Sequence, residues 1–168
     1  FNRVYERERS DFMRVYHASN TIIEHPDTLH SRVALDFGQG FYVTTLREQA
    51  VDYANRFKLR KQQAYLNIYE LRDGWQSKNI KRFTAYDAEW LDFITANRSQ
   101  LPVTSYDCVE GGIANDRIFR TIDLLFANEI SRKEALTRLQ FEKPNHQICF
   151  LKQALIDEFL SFINAEEI

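Results

Sequence analysis

Strand-like and helix-like segments alternate along this 168-residue chain in no regular βαβ order, which limits the folds that it can adopt. The stretches "RVYHAS" (14–19) and "AYLNIYEL" (64–71) combine β-forming residues with alternating side chains, as strands do. Residues 46–63 carry apolar side chains at helical spacing, and "QALIDEFLSFI" (153–163) predicts a closing helix. The mixture indicates an α+β fold in which helices pack on an antiparallel or split sheet.

The composition indicates one globular domain. Apolar residues make up 44% of the chain and charged residues 27%, while only five glycines and three prolines are available for linkers. The only methionine is Met13, so we expect a single domain over residues 13–168 and an extension or upstream segment over residues 1–12. No run approaches membrane-spanning length, and the charged N-terminus does not resemble a signal peptide. We therefore expect a cytoplasmic protein, or an exported effector without a classical signal peptide, that does not bind a membrane.

The charge and the cysteines exclude several kinds of site. A net charge of −2 argues against a protein whose whole surface binds nucleic acid. Cys108 and Cys149 lie in apolar, strand-like runs without CxxC spacing, which predicts buried, reduced thiols and no metal site. The basic run "RFKLRK" (56–61) ends a predicted helix, where it favours the helix dipole or attracts phosphate.

Two stretches can carry chemistry, although no familiar catalytic motif is present. His17 lies in the middle of "RVYHASN", where it is either a core histidine or a ligand-binding one. In "DFGQGFYVTT" (36–45), Gly38 and Gly40 precede Tyr42, which suits either a hairpin turn or a surface that stacks on a planar ring.

Two further stretches place polar side chains at strand and helix ends. In "EGGIANDR" (110–117), Asp116 follows Asn115 and is either the N-cap of the next helix or a catalytic carboxylate. In "PNHQICF" (144–150), Asn145, His146 and Gln147 precede an apolar strand, where they reach a cleft or remain solvated.

Taken in order, "VYHAS", "DFGQGFYVTT" and "PNHQICF" resemble the three-part signature of ADP-ribosyltransferases of the diphtheria-toxin and poly(ADP-ribose) polymerase type. In that group a strand ends in HG[TS], a G-x-G-x-Y strand supplies a tyrosine, and a final strand carries a glutamate or a substitute. Longer stretches, among them "MRVYHASN", "EWLDFITANR" and "YDCVEGGIANDRIFRTI", resemble the bacterial DUF3990 family. This second resemblance runs from Met13 to about Ile163.

The resemblance implies an ADP-ribosyltransferase-like fold of split antiparallel β-sheets with packed helices, and NAD as the substrate. It also implies a role for each matching residue. His17 bonds a ribose hydroxyl of NAD, the Ala18 backbone and Ser19 hold the nicotinamide carboxamide, and Tyr42 stacks on the nicotinamide ring. The catalytic set is His17, Tyr42 and Gln147, and the remaining predicted NAD-binding positions are Gly38, Gly40, Asn115 and Asp116.

Two departures from the pattern bear on activity. Ala18 replaces the usual glycine, which narrows the nicotinamide pocket. Gln147 is neutral, so it can bond a ribose hydroxyl but cannot offset the positive charge of an oxocarbenium-like transition state. The neutral residue suggests transfer of a single ADP-ribose unit at most, with Asp116 or Glu110 as the source of a carboxylate.

The predicted function is that of an NAD-dependent mono-ADP-ribosyltransferase, a bacterial toxin or effector that modifies a macromolecule. The low net charge slightly favours a protein acceptor, whereas the basic run "RFKLRK" leaves a nucleic acid as an alternative acceptor. A cognate antitoxin or immunity protein is a further expected partner. The alternatives are a catalytically silent NAD- or partner-binding module of the same fold, an NAD hydrolase, and an RNA 2′-phosphotransferase.

Overall fold

The computed structural model describes residues 11–168, which form seven strands, five α-helices and one 3-10 helix. The strands are β1 (Phe12–Ser19), β2 (Phe41–Val43), β3 (Tyr65–Arg72), β4 (Ile80–Arg82), β5 (Cys108–Gly111), β6 (Gln147–Phe150) and β7 (Leu160–Glu167). The helices are α1 (Arg47–Leu59), α2 (Ala88–Arg98), α3 (Asp116–Phe126), α4 (Arg132–Leu139) and α5 (Gln153–Phe159), and the 3-10 helix is Trp75–Ser77. The expected α+β class is confirmed.

The strands form two sheets, as the prediction of a split sheet requires. The first has the order β1-β3-β7 with antiparallel neighbours, and the second has the order β2-β6-β5-β4. The prediction of antiparallel sheets is wrong for one pair, because β4 and β5 run parallel. The chain passes through α2 between these two strands, and such a crossover lets consecutive strands run in the same direction.

The two sheets meet at the ends of β1 and β2. The Tyr16 N–H donates to the Thr44 carbonyl over 2.8 Å, and the Thr44 N–H donates back to the Tyr16 carbonyl over 2.9 Å. This pair of bonds holds the residue before His17 beside the second sheet. The first two sequence motifs, whose residues His17 and Tyr42 are 25 positions apart along the chain, are thereby brought into contact.

Consecutive residues of β3 and β6 are buried, so each of these strands is covered on both faces of its sheet. Tyr69 of β3 and Phe150 of β6 lie in the layer between the sheets. Helices α2, α3 and α4 pack on the outer face of the second sheet, with Trp90 fully buried there. Helix α1 covers the outer face of the first sheet, where Ala50 packs near Leu66. The two predicted buried thiols, Cys108 and Cys149, are free and fully buried, as expected.

The predicted closing helix over 153–163 is wrong in its second half. The helix ends at Phe159, and Leu160–Glu167 forms β7 along the free edge of β3. The apolar spacing of this segment fits a helix, but pairing with β3 supplies backbone hydrogen bonds that local preference does not anticipate. Phe162 then packs its ring against Tyr69 at 5.8 Å.

Helices α1, α2 and α3 end in the same way. The residue after each C-cap has a positive φ: +57° at Lys61, +54° at Gln100 and +56° at Asn128. In each case that residue and the next donate backbone hydrogen bonds into the last turn, which is a Schellman motif. Glycine is the residue that this position favours, and none of the three helices uses it.

The predicted extension over residues 1–12 lies outside the described residues, except for Asp11 and Phe12, and β1 begins at Phe12. Within residues 11–168, no helix combines the length and the apolar character that are needed to span a membrane.

Candidate functional site

A cleft of about 1280 Å³ opens where the two sheets meet, and it gathers most of the predicted site residues. Its walls also include the 20–35 connection, the middle of α1 and the turn before α3. The predicted residues that line it are His17, Ala18, Ser19, Gly40, Tyr42, Asn115, Asp116 and Gln147. Gly38 is the one predicted residue that does not line it. Residues from all three sequence motifs and from "EGGIANDR" therefore share one cavity.

His17 is held in a fixed orientation by its neighbours. Its Nδ1 lies 2.6 Å from the Tyr42 carbonyl oxygen, and its ring stacks on Phe41 with centroids 4.5 Å apart. Because a carbonyl only accepts, Nδ1 carries the proton and Nε2 is left as an acceptor in the neutral ring. Burial lowers the pKa of His17 below its usual range, although the bond to Tyr42 acts in the opposite direction. The histidine therefore offers a neutral acceptor atom.

The phenol of Tyr42 is bonded within the loop that precedes it. Its hydroxyl donates to the Gly38 carbonyl over 2.6 Å and accepts the Phe37 N–H over 3.1 Å. Burial raises the pKa of this phenol well above its ordinary value, and contact with Cys149 raises it further. Tyr42 is therefore a neutral residue whose hydroxyl fixes the turn before β2, and it is one of the residues that line the cleft.

The two glycines of "DFGQG" allow a backbone conformation and a close packing contact that other residues would prevent. Gly38 has φ +96°, a conformation that other residues rarely adopt. A Cβ at Gly40 would lie 2.5 Å from the Phe150 carbonyl oxygen and 2.7 Å from Cys149 Sγ. Because β6 fills the space beside Gly40, any side chain at this position would collide with β6. Glycine is therefore needed for β2 to pack against β6.

The start of β6 is held by two side chains, Gln49 on α1 and Asn145 in the loop before the strand. The Gln49 carboxamide accepts the His146 N–H over 3.0 Å and donates to the His146 carbonyl over 2.7 Å, as a neighbouring strand would. The Asn145 side chain accepts the Ile113 N–H over 2.8 Å. These bonds fix the backbone on which Gln147 enters the cleft.

His146 and Glu110 form a separate polar cluster outside the residues that line the cleft. His146 Nε2 lies 3.0 Å from Glu110 Oε1, and Arg82 Nε donates to the other carboxylate oxygen over 3.0 Å. The His146 bond, followed by the Arg82 bond, holds the pKa of Glu110 below its usual range despite partial burial. The Thr45 N–H faces His146 Nδ1 at 3.3 Å, which assigns the proton to Nε2. Glu110 thus serves this cluster and does not reach the cleft.

Asn115, not Asp116, caps α3, and its side chain accepts the backbone N–H groups of Arg117 and Ile118. The interpretation of Asp116 as the N-cap is therefore wrong by one residue. Asp116 begins the helix at the wall of the cleft, and its carboxylate lies 3.1 Å from Arg56 Nη2 on α1. Asp116 is the carboxylate that the structure places in the cleft, of the two considered from the sequence.

Asp36 joins three segments of the site. The sequence did not indicate this residue as a candidate. Its buried carboxylate binds Arg98 over 2.7 Å and accepts the Ala114 N–H over 2.7 Å, and its carbonyl accepts from Asn97 over 3.0 Å. The loop before Tyr42, the end of α2 and the turn before Asn115 are thereby linked. A lone aspartate beside a glycine turn gave no signal, because its partners are 61 to 78 residues away.

The connection over residues 20–35 forms one wall of the cleft and is also anchored by buried polar groups. Asn67 is fully buried in β3, where it accepts the Ile23 N–H over 2.8 Å and donates to the Thr21 carbonyl over 3.1 Å. The Tyr69 hydroxyl donates to the Ile23 carbonyl over 2.6 Å. A polar residue in the centre of a strand is the sequence signal for such an anchor, and Asn67 fits that description.

Of the run "RFKLRK", only Arg56 lines the cleft, and the remaining cations continue along the end of α1. Within residues 11–168, no three histidine, cysteine or acidic side chains are grouped so that they could hold a metal ion.

A family profile described as "Protein of unknown function (DUF3990)" matches residues 13–162. The matched span covers the cleft, its walls and most of both sheets. Comparison with the curated proteins and with the solved structures found no significant match.

Proposed function

The chain belongs to the DUF3990 family of proteins of unknown function, and we propose that it is an NAD-dependent mono-ADP-ribosyltransferase with an ADP-ribosyltransferase-like fold. The cleft between the sheets is the proposed NAD site, and a bacterial toxin or effector is the proposed biological role. The substrate would be NAD and the products nicotinamide and a macromolecule that carries one ADP-ribose unit.

The observation that carries the proposal is the contact between the first two motifs. His17 Nδ1 donates to the Tyr42 backbone, so Nε2 is a fixed acceptor for a ribose hydroxyl. Tyr42 and Gln147 line the same cleft of about 1280 Å³, a volume above the usual range of small-molecule pockets and large enough for a dinucleotide. These residues support the proposal because they can supply the hydrogen-bonding groups and the aromatic side chain that the motif resemblance calls for.

The proposed reaction exchanges one bond for another. The bond between nicotinamide nitrogen and ribose carbon breaks, and its electron pair leaves with nicotinamide, which becomes neutral. A nucleophilic oxygen or nitrogen of the acceptor forms a new bond to the same ribose carbon and loses its proton. The residues around the cleft would accelerate this exchange by holding the leaving ring and the ribose in line for attack.

Gln147 is neutral, which limits its ability to stabilise positive charge in the transition state. An amide can accept from or donate to a ribose hydroxyl, but a carboxylate stabilises developing positive charge more strongly. Asp116 supplies a carboxylate at the wall of the cleft, and its exposed ion pair with Arg56 holds it weakly. We assign Asp116 as the group that faces the positive charge of the ribose.

A catalytically silent NAD-binding module is the second candidate. Two observations favour it. Gln147 is neutral, and Glu110 lies outside the cleft, where its carboxylate bonds His146 and Arg82. Calorimetry that detects NAD binding without nicotinamide release would favour this second candidate.

The test is incubation of the purified protein with adenine-labelled NAD and a cell lysate. Label should appear on a macromolecule with the wild-type protein and be lost with His17→Ala and with Tyr42→Ala. Circular dichroism and thermal unfolding establish that both variants are folded. Full labelling by either folded variant would contradict the assigned NAD site, and the absence of labelling by the wild-type protein would contradict transferase activity.

A further inference from the structure

One face of α1 alternates aromatic and cationic side chains beside the cleft. Tyr53, Arg56, Phe57 and Arg60 follow the spacing i, i+3, i+4, i+7, which places them on one side of a helix. The Arg56 guanidinium lies 5.2 Å from the Tyr53 ring centroid, and the Tyr53 and Phe57 rings meet edge-on at 5.9 Å. Tyr53 is 52% exposed although it is aromatic, so packing in the core does not explain it.

The end of the same helix carries charge that the described part of the chain does not neutralise. Lys58, Arg60 and Lys61 are exposed, and none of them forms an ion pair within residues 11–168. Three such cations within four residues create a local positive potential on a chain whose net charge is −2. This end of α1 therefore attracts a polyanion locally, although the protein surface as a whole does not.

Lys61 has a backbone conformation that favours glycine. It holds φ +57° after the C-cap of α1, where its N–H donates to the Lys58 carbonyl and the Gln62 N–H donates to the Phe57 carbonyl. Glycine adopts this conformation without the steric cost that a side chain carries. The chain thus places a cation where glycine would make the fold more stable.

We propose that this face of α1 docks the macromolecular acceptor, and that the acceptor is a single-stranded nucleic acid. Exposed rings that can stack on bases, interleaved with cations that can contact phosphates, are the features that bind single strands. Tyr53 and Arg56 line the cleft while Lys58, Arg60 and Lys61 extend away from it, so a strand laid along α1 leads into the cleft. The transfer of ADP-ribose to this strand rests on the proposed function, whereas the docking does not.

The ion pair between Arg56 and Asp116 fits this arrangement. Both side chains are exposed, at 47% and 88%, and an exposed pair of this kind adds little stability. A phosphate can therefore replace Asp116 as the partner of Arg56. The exchange would free the Asp116 carboxylate to face the ribose at the moment when the acceptor arrives.

The first test measures fluorescence anisotropy of labelled single-stranded DNA and RNA without NAD, over a series of salt concentrations. The double variant Arg56→Glu/Arg60→Glu reverses both cations of this face and should bind at least about tenfold more weakly, and its salt slope should fall by roughly two. The control Lys133→Glu/Lys152→Glu makes the same charge change at exposed cations away from the cleft and should bind like the wild-type protein. Equal loss in both variants, or no binding by the wild-type protein, would overturn the proposal.

The second test separates binding from folding. Lys61→Gly should raise Tm by roughly 2–4 °C, because glycine relieves the positive φ, while the salt slope falls by about one. Gln100→Gly makes the same backbone change at the end of α2 and should raise Tm similarly without altering oligonucleotide binding. Unchanged oligonucleotide binding by a stabilised Lys61→Gly protein would contradict the role of Lys61 in docking.

The acceptor is then identified in the labelled lysate by digestion with nuclease or with protease. Loss of the macromolecular label on nuclease treatment supports the proposal. Label that only protease removes, or competition by poly-glutamate as strong as that by an oligonucleotide, would overturn it and leave the proposed transferase intact. Conversely, oligonucleotide binding with no nicotinamide release would refute the proposed function and leave the docking surface standing.

Discussion

At the scale of single residues, one side-chain hydrogen bond links the first motif of the site to the second. His17 Nδ1 donates to the Tyr42 carbonyl, and this bond both fixes the imidazole and selects its tautomer. The ring is packed against Phe41, so a positive charge on it would be poorly solvated. The neutral histidine is therefore part of the folded state as well as of the proposed NAD site.

The lowered pKa of His17 predicts a pH dependence of stability. The unfolded chain binds a proton at His17 near pH 6.5, whereas the folded chain binds it only at lower pH, so the free energy of unfolding falls as pH drops below about 6.5. Glu110, whose pKa is also lowered, adds a second loss that begins only below about pH 4.3. Urea unfolding at pH 7.5 and pH 5.5 should show this loss for the wild-type protein and a smaller one for His17→Gln. An equal loss in both proteins would show that His17 is not the buried neutral group.

Removal of the Tyr42 hydroxyl should destabilise the turn before β2. Tyr42→Phe leaves the Phe37 N–H and the Gly38 carbonyl without their partner, which costs about 1–3 kcal/mol of unfolding free energy. Tyr65→Phe is the matched control, because the Tyr65 hydroxyl bonds only the exposed side chain of Gln63. Urea unfolding of both variants should show the loss for Tyr42→Phe alone.

At the scale of elements, the Asp36 carboxylate holds the loop before β2 against α2 and the turn before α3. Asp36→Ala leaves Arg98, whose side chain is 14% exposed, without a partner, and should cost about 3–5 kcal/mol. The control is Asp92→Ala, which removes the partner of Arg132 from an exposed pair on α2 and should cost less than about 1 kcal/mol. Similar losses in chemical denaturation would contradict the role of Asp36 as the joint between these elements.

The elements also show where sequence patterns suffice and where they do not. The spacing of apolar residues anticipated α1, and β-forming residues anticipated β1 and β3, because both signals are local. The strand β7 was missed because its identity depends on the open edge of β3, which only the assembled sheet provides. Local pattern likewise marked a cap before α3 but placed it at Asp116, one residue after Asn115.

At the scale of the whole molecule, the site arises where two sheets meet. The sequence motifs predict His17, Tyr42 and Gln147 as site residues, and all three line one cleft. The residues that support the walls of this cleft, Asp36, Asn67 and Gln49, act through partners that are distant in the chain. Such long-range partners leave no periodic signal, so the sequence suggested candidate site residues but did not show which side chains hold the cleft together.

The decisive measurement is the release of nicotinamide from NAD that is labelled in the nicotinamide ring. The wild-type protein should release labelled nicotinamide in the presence of lysate, whereas folded His17→Ala should release at most about one hundredth as much, since it lacks the acceptor that orients the ribose. No release by the wild-type protein at saturating NAD, or release by folded His17→Ala at the wild-type rate, would contradict the proposed function of this cleft.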